Sequence, residues 1–238
     1  MSNAEVFCDL SSNQPLPDVA AYAKAGHKRI ALKATEGTDY HWSDGATVGV
    51  QAHRRDLQVI WYHFARPGSP KAQAEFFCKV IAADIKPGDI LCIDAEVTGV
   101  NGTLVDGWLA EVHAKYPDHE LWVYGSPSFL TENHITPAHG AKLWIADYGV
   151  KTPALPHGWG AYEAWQHTDS GTATGVQGKV DLSVMHPQPA TEALSDQAHN
   201  DAVNLTGHLK KRTRPLDKPG RALLAELAAE ISRVDAIK

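Results

Sequence analysis

Hydrophobic residues fall into eight short runs along the chain, and most of these runs are almost continuously apolar. Runs rich in Val, Ile, Leu, Tyr and Trp are typical of parallel strands buried on both faces. The predicted strands are Glu5 to Asp9, Arg29 to Thr35, Gln58 to Phe64, Asp89 to Asp94, Glu120 to Tyr124, Lys142 to Asp147, Tyr162 to Gln166 and Lys179 to Ser183. The pattern therefore predicts a largely parallel sheet.

Segments of helical character lie between the first five strands and after the fifth. They are Pro17 to Ala25, Gly45 to Arg55, Pro70 to Ala83, Leu104 to Tyr116 and a short one near Ser126 to Glu132. After Ala146 the helical segments give way to loops marked by Pro and Gly. This alternation predicts an α/β fold, an irregular TIM-like (β/α)5β3 barrel with a C-terminal helical tail. In such barrels the active site lies at the C-terminal ends of the strands.

The pattern changes after Pro189, so we expect a barrel domain over residues 1–189 and a polar linker with a basic amphipathic tail over 190–238. From residue 207 onward the chain carries a net charge of +4, against −10 for residues 1–206. Apolar residues recur at spacings of three and four within Pro219 to Val234, which predicts one helix with a narrow apolar stripe. Three interpretations stay open: a helix packed on the barrel, a homo-oligomer contact, and a basic arm for the anionic cell envelope.

Composition excludes several classes of protein. With 43% apolar and 21% charged residues in 238, the chain is globular, and its net charge of −6 gives no electrostatic footprint for nucleic acid. No apolar run reaches the length of a transmembrane helix, and residues 1–5 lack the features of a secretory signal, so neither is predicted. Cys8, Cys78 and Cys92 form an odd set, and we expect reduced core cysteines.

Two carboxylates follow the fourth predicted strand, Asp94 and Glu96. A strand's period of two points both side chains to the same side, and like charges held close together raise the pKa of one of them. One protonated and one ionised carboxyl group is the chemistry of glycoside cleavage. The alternative is that Asp94 caps a following helix and Glu96 is a solvated surface charge.

Polar side chains also occupy the ends of the other predicted strands, which we expect to meet at one rim. In chain order they are Asp9; Lys33, Thr35 and Glu36; Tyr62, His63 and Arg66; Asp94 and Glu96; Tyr124; Asp147 and Tyr148; Trp165 and Gln166; and Asp181. Carboxyl groups act on a glycosidic oxygen, and aromatic faces stack on a pyranose ring. The rim therefore favours a sugar-binding acid/base site. For an individual aromatic residue, such as Trp61 or Trp122, burial in the core is the better interpretation.

At these residues the chain resembles glycoside hydrolase family 25, the muramidase-type lysozymes of bacteria and of phage endolysins. The matching segments are Asp9 to Gln14, Lys33 to Gly37, Tyr62 to Pro67, Asp94 to Glu96, Trp122 to Gly125, Leu143 to Tyr148, Trp165 to His167 and Val180 to Ser183. A single segment would be weak evidence, whereas eight in order are strong. The family's barrel has eight strands and five helices, the same count that the hydrophobic pattern predicts.

The resemblance implies hydrolysis of the β-1,4 bond between N-acetylmuramic acid and N-acetylglucosamine in peptidoglycan, without a cofactor or a metal. It implies that Glu96 is the general acid and that Asp94, Asp9 and Asp181 complete the catalytic set. The implied substrate-binding residues are Tyr62, Tyr124, Tyr148, Asp147, Gln166, Lys33, Glu36 and Arg66. Alternative roles are rim packing for the tyrosines and offsetting of the acidic cluster for Lys33 and Arg66; Glu36 is ambiguous in the same way.

Two mechanisms are compatible with these residues. In the preferred one, the 2-acetamido oxygen of muramic acid attacks the anomeric carbon while Asp94 stabilises the charged ring; in the other, an Asp-activated water attacks with inversion. The expected partner is the peptidoglycan glycan strand, with neither nucleic acid nor stable membrane insertion. If the protein is phage-encoded, we expect it in the host cytoplasm and, after release, at the cell wall.

The same residues are compatible with other functions. A metal-dependent hydrolase would use His63, Asp94, Glu96, His167 and Asp181, but these residues contain no close ligand motif. A non-catalytic carbohydrate-binding or phage-particle protein on the same barrel is the main alternative, and the complete set of four carboxylates argues against it. A chitinase-type barrel is disfavoured because Leu91, Cys92 and Ile93, rather than further Asp residues, precede Asp94.

Overall fold

A computed structural model describes residues 5–186, and these form a closed barrel of eight strands with a short ninth strand attached. The strands are β1 (Val6–Leu10), β2 (Arg29–Glu36), β3 (Tyr40–His41), β4 (Gln58–Phe64), β5 (Ile90–Asp94), β6 (Glu120–Gly125), β7 (Lys142–Ala146), β8 (Ala164–Gly171) and β9 (Val180–Met185). The helices are α1 (Val19–Lys24), α2 (Gly45–His53), α3 (Pro70–Ile81), α4 (Gly102–Lys115) and α5 (Pro127–Glu132). The predicted α/β barrel is confirmed. The predicted tail helix and the boundary at residue 189 lie outside the described residues.

Local sequence explains where the helices begin. Helices α3 and α5 both start with a Ser-Pro pair, and in each the serine hydroxyl accepts a hydrogen bond from a backbone N–H of the first turn. The serine satisfies a donor that the helix itself leaves unpaired, and proline at the next position has the backbone φ that a helix needs. Each pair therefore ends the preceding loop at a defined residue.

The barrel closes through β1, which pairs in parallel with β2 and antiparallel with β9. The remaining neighbours follow in the order β2, β4, β5, β6, β7 and β8, all parallel. Parallel strands are therefore confirmed for seven of the eight barrel strands. The expectation is wrong for β9, because β9 returns directly from β8 without a helix and such a return makes the two strands antiparallel.

The direction of β9 changes where Asp181 lies. The prediction placed Asp181 at the end of the last strand, but it is the second residue of β9. Because β9 runs against β1, its beginning lies at the rim where the parallel strands end, and Asp181 is the register partner of Asp9. Strand β3, which the hydrophobic pattern does not predict, pairs with the last two residues of β2.

Apolar side chains form two layers, one inside the barrel and one between the strands and the helices. The inner layer includes Phe7, Ile60 and Trp122, and the outer layer includes Trp61 on the opposite face of the barrel wall. Trp61 and Trp122 are both buried, as the core interpretation of these aromatics expects. The three cysteines are free and buried. Helices long and apolar enough to cross a membrane are absent from residues 5–186.

A bulge in β2 determines which of its side chains point toward the rim. Lys33 pairs with Tyr62, but the next partner pair is Thr35 with His63, so Ala34 is an extra residue in β2. Residues three apart on a regular strand point to opposite faces, whereas the added residue returns Lys33 and Glu36 to the same face. The two side chains form an ion pair at the rim, while Thr35 contacts His63 on the other side of the barrel wall.

Candidate active site

A cavity of about 160 Å³ opens at the rim where the parallel strands end. Its lining contains all four carboxylates that the sequence predicts as catalytic, together with three of the residues predicted to bind substrate. The lining residues are Asp9, Ser11, Asn13, Gln14, Lys33, Tyr62, Phe64, Asp94, Glu96, Tyr124, Trp144 and Asp181. The expected convergence of the strand ends is therefore present in the fold.

Asp94 and Glu96 lie at different depths of this cavity. Asp94 ends β5 with 7% of its surface exposed, whereas Glu96 is exposed at the mouth. The Oδ1 atom of Asp94 is buried without a hydrogen-bond partner in the described part of the chain. The helix-cap alternative for Asp94 fails, since the following helix α4 is capped by the side chain of Asn101.

Burial is the main cause that raises the pKa of both groups. For Asp94 the pKa is raised well above its ordinary value, first by burial and then by the negative charge of Glu96. The pKa of Glu96 is raised by partial removal of water and by Asp181. Lys33 acts in the opposite direction on both carboxyl groups. The two carboxyl groups therefore titrate as an interacting pair near one cation.

Asp9 and Asp181 form a second carboxyl pair across the junction of β1 and β9. Burial and the charge of Asp181 raise the pKa of Asp9 to about 8, and the two side chains share a hydrogen bond. The pKa of Asp181 is raised by burial, although its hydrogen bond to Asp9 lowers it. Two adjacent carboxylates in this environment hold one proton between them near neutral pH.

The predicted binding residues Lys33, Glu36 and Arg66 form a chain of ion pairs beside the cavity. Glu36 pairs with Lys33 through one carboxylate oxygen and with Arg66 through the other. Burial alone would raise the pKa of Glu36, but the hydrogen bonds and charges of the two cations lower it overall. The Lys33 ammonium lies 4.4 Å from the centroid of the Phe64 ring. Lys33 lines the cavity, whereas Glu36 and Arg66 are not among the lining residues.

Hydrogen bonds connect the predicted tyrosines to the barrel interior. Tyr62 donates to the backbone oxygen of Leu10 at 3.4 Å, and Tyr124 donates to Gln166 Oε1 at 2.7 Å. Tyr148, which is 44% exposed, also donates to Gln166 Oε1. Tyr62 and Tyr124 line the cavity, while Tyr148 lies on the loop after β7.

Asp147 lies outside the cavity lining and braces the loop after β7. Its Oδ2 accepts a hydrogen bond from the backbone N–H of Ala154 at 3.0 Å, and its backbone oxygen accepts one from Trp165 Nε1. The neighbouring Tyr148 belongs to the same loop, so Asp147 helps to hold that tyrosine at the rim.

Five cavity residues were absent from the predicted site, although each stands in a segment that carries the family resemblance. They are Ser11, Asn13, Gln14, Phe64 and Trp144. Gln14 turns back to accept a hydrogen bond from the backbone N–H of Ser11 at 3.0 Å, which folds the loop after β1 over the rim. The segments that resemble the family were the available signal, because Phe64 ends β4, Trp144 lies within β7 and the other three lie in the loop after β1.

Of the ligand set considered for a metal-dependent hydrolase, Asp94, Glu96 and Asp181 line the cavity, whereas the two histidines do not. His63 points away from the cavity, where its Nδ1 is 2.8 Å from Thr35 Oγ1 and its Nε2 is 3.0 Å from Gln73 Oε1. Burial lowers the pKa of His63 to about 4. Clusters of three or more His, Cys, Asp and Glu side chains arranged to hold a metal ion are absent from the described residues.

A barrel of this kind with paired carboxyl groups at its rim is typical of glycoside hydrolases. The model for "Glycosyl hydrolases family 25" matches residues 8–176, and the chain belongs to this family. The chain is 31% identical over 181 residues to the autolytic lysozyme of Clostridium acetobutylicum, covering 73% of this chain and 53% of that relative. It thus spans about half the length of that protein.

Solved structures show the same fold. A bacterial lysozyme from Streptomyces coelicolor superposes with a TM-score of 0.66 at 25% identity, covering 83% of this chain and all of that one. The catalytic domain of endolysin ply40 from bacteriophage P40 of Listeria monocytogenes gives a TM-score of 0.68 at 18% identity, covering 79% of this chain and 95% of that domain.

Proposed function

We propose that the protein is a lysozyme that hydrolyses the β-1,4 bond between N-acetylmuramic acid and N-acetylglucosamine in peptidoglycan. The observation that carries the proposal is the pair Asp94 and Glu96 at the end of β5, with raised pKa values, in a cavity of a family 25 barrel. The similarity to an autolytic lysozyme supports the same substrate class.

In this mechanism Glu96 donates a proton to the glycosidic oxygen. Its position at the mouth of the cavity allows the glycosidic bond to reach it, and its raised pKa makes it hold a proton more readily than an ordinary glutamate. When the site is empty, burial favours the proton on Asp94. Substrate binding moves that proton to Glu96, because a substrate N–H that donates to Asp94 stabilises its ionised form.

Asp94 then orients the 2-acetamido group. Asp94 lines the cavity, so its carboxylate group can accept a hydrogen bond from the acetamido N–H. The acetamido oxygen attacks the anomeric carbon, the bond to the leaving oxygen breaks as Glu96 protonates it, and water later opens the ring intermediate. Direct attack by an Asp-activated water is the alternative. NMR of the first-formed anomer distinguishes them: retention is expected, and an initially inverted product would exclude the substrate-assisted route.

The activity itself is tested by digestion of purified peptidoglycan. We expect new reducing ends that are muramic acid, identified by borohydride reduction and mass spectrometry. New ends that are glucosamine would contradict the proposed bond specificity. Binding to peptidoglycan without new reducing ends would support the non-catalytic carbohydrate-binding alternative. Treatment with a strong chelator should leave the rate unchanged.

We also propose that residues 1–189 suffice for this activity and that the protein acts on the cell wall as an endolysin after release from a host cytoplasm. The family match ends at residue 176, which supports the first part, and the fold shared with endolysin ply40 is compatible with the second. A chain ending at Pro189 should digest peptidoglycan at the full-length rate. For the second part, expression inside bacteria should lyse cells only when a membrane-permeabilising protein is co-expressed.

A further inference from the structure

Gln166, on β8, is more deeply buried than a substrate contact requires. It is 1% exposed and absent from the cavity lining, and its amide group is hydrogen-bonded to Tyr124, Tyr148 and Asp9. The sequence interpretation assigned it to substrate binding. Its surroundings instead join the rim tyrosines to the pair Asp9 and Asp181.

The polarity of these hydrogen bonds orients the Gln166 amide. Tyr124 and Tyr148 both donate to its Oε1 atom. Burial raises the pKa of Tyr124 well above its ordinary value and that of Tyr148 to about 12, so both hydroxyls keep their protons over the working pH range. With the oxygen held by two donors, the amide nitrogen must face the other way, and Nε2 donates to Asp9 Oδ2 at 2.9 Å.

We propose that Gln166 is a positioning residue, which acts through Asp9 to set the orientation and the proton affinity of the Asp9–Asp181 pair. Its Nε2 holds one oxygen of the Asp9 carboxyl group, and the same carboxyl group contacts Asp181. A donor that binds the ionised form of a carboxyl group opposes the effect of burial. The inference deepens the proposed function and rests on it for its kinetic test.

The substitution Gln166→Met removes both the amide oxygen that accepts from the tyrosines and the amide nitrogen that donates to Asp9, while the side-chain volume stays similar. A hydrogen bond to a charged acceptor is strong enough to shift a pKa by about one unit or more. We therefore expect the titration midpoint of Asp9 to rise by about one unit, measured by NMR of carboxyl 13C in aspartate-labelled protein, with the resonance assigned from Asp9→Asn. On peptidoglycan, kcat should fall with little change in KM, and the pH limb that reports this pair should move to higher pH.

Gln73→Met is the matched control. Gln73 is equally buried at 1% exposure, but it bonds His63 and the backbone of Arg66 outside the barrel interior. It should lose stability without moving the Asp9 titration. Gln166→Glu retains an acceptor for both tyrosines and serves if Gln166→Met does not fold. It should raise the Asp9 midpoint further, because one more carboxyl group then faces Asp9 in addition to Asp181.

An unchanged Asp9 midpoint in the folded Gln166 variant would overturn the proposal. So would a rise in KM alone, which would make Gln166 a substrate contact as the sequence interpretation has it. If the wild-type protein does not cleave peptidoglycan, the proposed function fails, while the NMR titration still decides whether Gln166 controls Asp9.

Discussion

At the scale of single residues, burial separates two carboxylates that are almost adjacent in sequence. Asp94 lies inside the barrel wall and Glu96 at the mouth of the cavity, although one residue stands between them. Both side chains nevertheless line the same cavity. Their difference in depth follows from where β5 ends, since Asp94 is its last residue and Glu96 lies beyond it. This difference underlies the separate roles proposed for them.

Replacing Glu96 tests the proton donor. Glu96→Gln keeps the shape and removes the proton, so the rate of peptidoglycan hydrolysis should fall by about 10²–10⁴-fold, the usual contribution of acid/base catalysis. Binding to peptidoglycan and the melting temperature should be retained. Glu75→Gln, on the exposed face of α3, is the control and should have wild-type activity. Near-normal hydrolysis by Glu96→Gln would remove Glu96 from the role.

At the scale of elements, hydrophobic periodicity predicts which segments are strands and helices but not the direction of each strand. Continuous apolar runs locate all eight barrel strands, because a strand whose two faces are both buried has apolar residues at nearly every position. The direction of β9 depends on its return from β8, and apolar composition is the same for either direction. The two residues of β3 are exposed and too short to show a period. The sequence pattern likewise does not predict the bulge at Ala34, since the bulge is defined only by the pairing of β2 with β4.

The packing of α2 against the barrel depends on a residue with no side chain. A Cβ atom at Gly49 would lie 2.3 Å from the Trp61 ring, which is fully buried. Gly49→Ala should therefore destabilise the protein by about 1–3 kcal/mol, the usual cost of overpacking. Urea unfolding measures this change. Gly160→Ala, where a Cβ meets open space, is the control and should be close to neutral. Equal stability of both variants would mean that α2 shifts without cost.

At the scale of the whole molecule, four carboxyl groups with raised pKa values share one end of the barrel. The identities of all four were predictable, because each occurs in a segment that resembles the family. Their division into two pairs was not, because the Asp9–Asp181 pair depends on the antiparallel register of β1 and β9. Such a cluster lowers the stability of the folded state, because folding removes acidic groups from water. We attribute its presence to the needs of activity.

This arrangement predicts a definite dependence of stability on pH. The pKa of Asp9 rises from its ordinary value of 3.8 to about 8 on folding. Between these values the folded state holds a proton that the unfolded state has lost, so the free energy of unfolding falls as pH rises, by up to about 1.4 kcal/mol per pH unit from this group. Below pH 4 the contribution is fully present, and above pH 8 it is lost.

The variant Asp9→Asn removes this titration and keeps an oxygen that can accept from Gln166 Nε2. Urea unfolding at pH 4 to 8 should show a shallower decline than in the wild-type protein, so the variant gains relative stability as pH rises. His63, whose pKa burial lowers to about 4, contributes the opposite slope between pH 4 and 6.5, but it does so in both proteins and cancels in the comparison. Parallel stability curves for the two proteins would show that Asp9 titrates at its ordinary pKa. They would also remove the electrostatic basis for treating Asp9 and Asp181 as a proton-sharing pair.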